Sequence, residues 1–144
     1  MDKMNISQFR VAGLTARVSN DQPEQIGATW GEFWGRDISN AVSSKESLDI
    51  YCVYHGYEGD HRAPYHMTIG YRVPEDFSNP GNLSVVTVPA QTVARFEAVG
   101  ALPEALISQW QQIWASDLDR AYRADFDVYD ATRPDRATIH IGLK

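Results

Sequence analysis

Four tryptophans occupy two pairs of positions at a constant separation of 80: Trp30 matches Trp110 and Trp34 matches Trp114, while Pro23-Glu24 matches Pro103-Glu104 and Ile26 matches Leu106. A duplication of this kind constrains the fold strongly, because every element read in one copy needs a counterpart in the other. Each Pro-Glu pair suits a first helical turn, where proline lacks only an N–H that would be orphaned and glutamate meets the positive end of the helix dipole. Ile26, Trp30, Phe33 and Trp34 then fall on one helical stripe, as do Leu106, Trp110, Ile113 and Trp114. The spacing predicts a helix from 23 to about 36 and a second opening at 103.

Strand patterns surround both helices. Phe9 to Val18 is rich in β-formers and runs into Asn20-Asp21, which reads as a helix cap. Leu48 to Tyr57 and Tyr65 to Val73 form an antiparallel pair, and in the second run Tyr65, Met67, Ile69, Tyr71 and Val73 make one face apolar. Residues 74–82 are crowded with turn formers. The pattern then resumes with Leu83 to Val88, Gln91 to Val99, the second helix, Phe126 to Tyr129 and Ala137 to Leu143. Asp49 to Val53 resembles Asp125 to Tyr129 at a separation of 76, and Ile69-Gly70 resembles Ile141-Gly142 at 72, so the second copy has shorter loops. The expected fold is α+β: one domain over 1–144 built from duplicated β-α-β-β modules, with repeat 1 at about 6–73, a linker at 74–82 and repeat 2 at about 83–144. A pseudo-two-fold axis, an antiparallel sheet, two main helices and a central ligand cleft complete it.

Composition narrows the function. The net charge is −6, with no basic stripe, which disfavours direct contact with nucleic acid. No apolar run reaches the ~20 residues of a membrane helix, and Met1 to Ile6 offers no signal-peptide core. Cys52 is the one cysteine, so no intrachain disulfide can form, which suits a reducing cytoplasm. The expectation is therefore a cytoplasmic chain without a membrane or nucleic-acid partner of its own.

Any site should lie at the seam between copies. On a strand, Asp127 and Tyr129 share one face while Phe126 and Val128 share the other, and the separation of 76 puts Asp127 in register with Tyr51. A carboxylate among aromatic rings is suited to an organic cation, combining a Coulomb partner with π faces worth ~0.5–2 kcal/mol each. Spacing alone leaves open whether the tryptophans are plain core and which of each pair faces a cavity. Cys52, His55, His61 and His66 are close in sequence but lack a metal-ligand spacing, and Glu58 to His61 reads as a polar loop. No phosphate-binding or nucleophile-elbow motif is present, so neither cofactor nor metal is expected.

Tyr51-Cys-Val-Tyr-His-Gly-Tyr-Glu58, Ala63-Pro-Tyr65, Ile69-Gly-Tyr-Arg-Val73, Asp125-Phe-Asp-Val-Tyr129 and Ile139-His-Ile141, in that order, resemble the gyrase-inhibitor-like effector-binding domains. That family includes the C-terminal ligand domains of AraC-type and MerR-type regulators. The resemblance implies an aromatic pocket with one acid, held here by Asp127 where the family has Glu. It implies an aromatic wall of Tyr51, Tyr65, Tyr129, Trp34 and Trp114. The function it implies is a standalone multidrug-type binding module for bulky hydrophobic cations, without a DNA reader of its own, acting in sequestration or as an effector sensor with a DNA-binding regulator as partner. Two other readings are a hydrolase of strained electrophiles using Asp127 and Tyr129 in the same pocket, and an interaction module that docks on a DNA-binding protein.

Overall fold

The computed structural model describes residues 2–144. In chain order its elements are β1 Asp2–Ile6, β2 Phe9–Val18, α1 Pro23–Gly35, α2 Ile38–Ala41, β3 Ile50–His55, β4 Tyr65–Val73, β5 Ser84–Val88, β6 Gln91–Val99, α3 Glu104–Ala115, β7 Ala124–Tyr129 and β8 Arg136–Gly142. The two β-α-β-β units of the expected α+β fold are thus β2-α1-β3-β4 and β6-α3-β7-β8.

Among the described residues eight strands form one antiparallel sheet in the order β1-β6-β8-β7-β3-β4-β2-β5. Exchanging β1 with β5, β2 with β6, β3 with β7 and β4 with β8 reverses that order onto itself, as a pseudo-two-fold demands. The outer ladders are continuous with one another. Ile6 faces Gln91 and, three residues on, Phe9 faces Val88, so β1/β6 and β2/β5 keep a single frame across a bend at Ser7-Gln8 and Pro89-Ala90. Pro89 has no N–H to offer a ladder and falls where the ladder breaks. Each bent strand therefore serves both ends of the sheet, which closes on itself and leaves few free edges.

Register also fixes the repeat. Gly13 faces Gly70 in β2/β4, and Val93 faces Gly142 in β6/β8, so Gly70 and Gly142 are equivalent when the separation from β2 to β6 is the same 80 seen in the helices. Thr68 then corresponds to His140, and these face Val53 and Phe126 respectively. Val53 and Phe126 are accordingly equivalent, at a separation of 73 rather than the expected 76. They also face one another in β3/β7, which puts the pseudo-two-fold axis between them. Two of the central strands are thus paired about their own symmetry axis.

Three apolar clusters hold the layers. Phe33 of α1 and Ile38 of α2 pack on Met67 and Ile69 of β4. Leu106 and Ile113 of α3 pack on Ile139 and Ile141 of β8. On the opposite face of the sheet Phe9, Val11, Val53, Val88 and Phe126 fill the space enclosed by the closed strands. Because both faces are covered, Thr68 and Gly70 of β4 are buried as well as its apolar residues. Thr68 is satisfied there by Thr15 at 2.7 Å and His55 at 2.8 Å.

Some expectations need correcting. β1 carries four exposed residues and no apolar alternation, and it is held by its ladder to β6. α2 lies between the first predicted helix and the strand from Leu48, where no element was expected, and is anchored by buried Ile38 and Val42. The cap of α1 is Gln22, with no side-chain cap bond. Asn20 instead donates its amide to the His61 carbonyl at 2.8 Å and accepts from the Tyr65 hydroxyl at 2.7 Å, tying down the loop after β3.

At the Gly13/Gly70 pair the backbones approach so closely that a Cβ on Gly13 would lie 2.0 Å from the Ile69 carbonyl oxygen, and one on Gly70 equally close to that of Ala12. Gly31 of α1, by contrast, has open space around its Cβ position. Gly13→Ala is expected to destabilise the fold by ~3 kcal/mol or more, and Gly31→Ala to stabilise it by ~0.5–1 kcal/mol through helix propensity. Urea midpoints of the two variants, read against the wild type, test both signs.

Candidate functional site

A cavity of about 690 Å³ lies between α1 and α3, above the junction of β3 and β7. Ile26 and Trp30 wall it on one side, and Leu106, Ile107, Trp110 and Trp114 on the other. Tyr54, Tyr57, Tyr65 and Tyr129 supply the sheet side and its adjoining loop. The wall is interlocked across the axis. Trp30 of the first copy meets Tyr129 of the second edge-on at 5.2 Å, and Trp110 of the second meets Tyr54 of the first edge-on at 5.4 Å. Such T-shaped pairs add ~0.5–1.5 kcal/mol each beyond their buried area.

Asp127 sits immediately behind these rings and is wholly buried. The separation of 73 makes it the counterpart of Tyr54, and the two equivalents are joined: the Tyr54 hydroxyl donates to Asp127 Oδ2 at 2.5 Å. Trp110 Nε1–H donates to Oδ1 at 3.3 Å, and the Tyr129 hydroxyl to Oδ2 at 3.5 Å. No cation is paired with it among the described residues. Burial, reinforced by the neighbouring Asp125 and only partly offset by the three donors, pushes the Asp127 carboxyl up to about 7. Burial first, and then the carboxylate, holds the Tyr54 and Tyr129 hydroxyls well above the usual tyrosine range, so both remain donors.

Asp125, two residues earlier on the same face, has the opposite environment. Arg120 Nη2 binds its Oδ2 at 2.7 Å, with both side chains buried. The Tyr57 hydroxyl donates to the same oxygen, and the Gly142 N–H donates to Oδ1 at 2.7 Å. Asp125 is thus neutralised where Asp127 is not. Close to the cavity the balance of buried charge among the described residues is one unpaired, titratable carboxyl, which favours a cationic guest.

Of the residues singled out from sequence, Tyr65, Tyr129 and Trp114 line the cavity and Asp127 backs it. Trp114 stacks on His61 with centroids 5.6 Å apart. Tyr51 and Trp34 do not line it. Tyr51 faces the other side of the sheet, packed on Phe9 and Phe126, because its side chain alternates with that of Cys52, which faces Asp127. Trp34 lies on the far flank of α1 with 62% of its surface exposed. Their places are taken by Tyr54 and Trp30, which have the same residue types at positions that share the correct face. Tyr57, Trp110 and Arg120 were also missed. His55 and His66 stack at 5.8 Å away from the cavity, and among the described residues no cluster of three or more His, Cys, Asp or Glu could hold a metal ion. No helix there is long and apolar enough to cross a membrane.

Residues 5–142 match the family model Cass2, described as integron-associated effector binding protein. No curated protein matches the chain in sequence. An integron cassette protein from the mobile metagenome of Vibrio cholerae is similar over 99% of this chain and 95% of that one, with a TM-score of 0.81 at 22% identity. SAV2435 bound to tetraphenylphosphonium is similar over 99% and 93%, with a TM-score of 0.79 at 17% identity. The C-terminal domain of EcmrR, a protein also solved in complex with DNA, is similar over 99% and 96%, with a TM-score of 0.57 at 14% identity. At these identities the likenesses establish a common fold.

An acid whose folded pKa stands above its unfolded value of ~3.9 loses stability as pH rises between the two. Ionised Asp127 should therefore weaken the fold from about pH 4 to 7, whereas burial of neutral His55 and His140, each lowered to about 4, acts in the opposite direction. The histidine contributions cancel on comparing variants. The stability of Asp127→Asn relative to wild type is thus expected to grow with pH across this window; urea unfolding at stepped pH that shows a flat difference contradicts the assignment.

Proposed function

The chain belongs to the family of integron-associated effector binding proteins, and we propose that it is a multidrug-type binding module for bulky hydrophobic cations. The observation that carries this reading is Asp127, a buried carboxyl with no paired cation among the described residues, behind a wall of tryptophan and tyrosine. A guest cation would supply the missing charge, and the rings would supply cation–π faces in a site where water is largely displaced. A cavity of about 690 Å³ suits a polycyclic ligand. The tetraphenylphosphonium held by SAV2435, a protein of the same fold, supports this ligand chemistry.

In this reading the protein acts in the cytoplasm, either sequestering such compounds or serving as the sensing part of a regulator that works with a DNA-binding partner. The likeness to the EcmrR C-terminal domain supports the second role. Gyrase-inhibitor-like kinship, with Asp127 in the place of the family's glutamate, belongs to the same proposal.

Tetraphenylphosphonium and rhodamine 6G are expected to quench the tryptophan fluorescence with micromolar affinity, and Asp127→Asn to weaken both at least tenfold, about 1.4 kcal/mol. Wild-type affinity should tighten from pH 6 to 8 as Asp127 ionises, while that of Asp127→Asn stays level. Trp114→Phe should remove part of the quenching and Trp34→Phe very little, since only the former lines the cavity. Binding that ignores both Asp127 and pH would remove the carboxylate from the mechanism.

A further inference from the structure

Arg120 lines the same cavity but is not used up by its ion pair. The residue is 6% exposed, and one nitrogen, Nη2, is committed to Asp125. Nε and Nη1 have no hydrogen-bond partner among the described residues. The guanidinium plane is set by two rings, with its central carbon 4.3 Å from the Tyr122 centroid and 5.8 Å from that of Trp110. A buried donor left open costs free energy that a matching acceptor recovers, and arginine presents its donors in a fixed planar fork.

Resting on the cation-binding reading above, we infer that the cavity contains a second subsite, at Arg120, which takes a neutral carbonyl oxygen of the ligand. The preferred guest is then a hydrophobic cation that also carries an ester or amide, with its positive centre at Asp127 and its carbonyl at Arg120. A neutral acceptor fits better than a carboxylate because Asp125 already balances the guanidinium charge, and a further anion would face both Asp125 and Asp127. The two anchor points are well separated. Asp125 and Asp127 are alternate residues on one strand face, about 6.6 Å apart along the strand, so the ligand needs its cation and carbonyl roughly one ring system apart.

Fluorescence titrations with three dyes test this. Tetraphenylphosphonium has no acceptor, rhodamine 6G carries an ethyl ester on a xanthylium cation, and a rhodamine analogue without that ester serves as its control. Wild type should bind rhodamine 6G about fivefold more tightly than the ester-free analogue, the worth of one net hydrogen bond. Arg120→Lys, which keeps a cation for Asp125 but loses the fork, should abolish most of that preference and weaken rhodamine 6G about fivefold more than it weakens tetraphenylphosphonium. Equal affinities for the ester and ester-free dyes in the wild type, or a preference that survives in Arg120→Lys, overturns the subsite. Should Arg120→Lys fail to fold, judged by near-ultraviolet circular dichroism, the wild-type comparison decides by itself. If tetraphenylphosphonium binds in an Asp127-dependent way and the ester makes no difference, the subsite alone falls. If none of the three dyes binds, the cation-binding reading falls and this inference with it.

Discussion

A carboxylic acid removed from water, with three hydrogen-bond donors and no cation to answer it among the described residues, sits where the two repeats meet. Asp127 can be kept there because Tyr54, Trp110 and Tyr129 point their polar atoms inward while their rings close the cavity wall. The same rings are the interlocking pieces that join helix and strand across the pseudo-two-fold axis. Burial of the acid, packing of the seam and shape of the cavity are therefore one arrangement. Its energetic tension is visible in a carboxyl held near neutrality, where a modest stabilising charge from outside suffices to change its protonation.

Exact symmetry would defeat this arrangement. With Val53 and Phe126 on the axis, Tyr54 and Asp127 are counterparts, as are Cys52 and Asp125. Two aspartates at the first pair would bring like charges together, and two tyrosines would leave the cavity without an anchor for a cation. Divergence of the copies gives one donor and one acceptor instead. The helices diverge similarly. Trp30 and Trp110 retain matching roles, whereas Trp114 joins the cavity wall beside His61 and Trp34 remains in solvent.

Much of this was legible in the sequence. The separation of 80, carried by tryptophans and Pro-Glu pairs, located both main helices; strand β4 lies where its alternation placed it, and β2 and β6 where their runs of β-formers did. Asp127 was identifiable because Tyr129 shares its face. Tyr51 was misplaced through the separation of 76 between β3 and β7. The true value is 73, and since strand side chains alternate, any error of odd size moves a residue to the opposite face. Trp34 fell on the apolar stripe by spacing, but the cavity is lined by α1 only as far as Trp30, and Trp34 lies in the last turn beyond it. The Arg120–Asp125 pair left no periodic trace, because Arg120 comes from the loop ahead of β7. β1 was invisible for a related reason: a strand made of exposed residues and held by backbone pairing carries no hydrophobic signature.

The central claim is that a hydrophobic cation binds against the ionised form of Asp127, and proton release reports on it directly. With its carboxyl pushed up to about 7, Asp127 is partly protonated near neutral pH before binding. Titration calorimetry with tetraphenylphosphonium at pH 7, repeated in buffers of different ionisation enthalpy, should therefore show net proton release on cation binding, and none in Asp127→Asn. Binding of the cation to the wild type with no proton released would contradict the account.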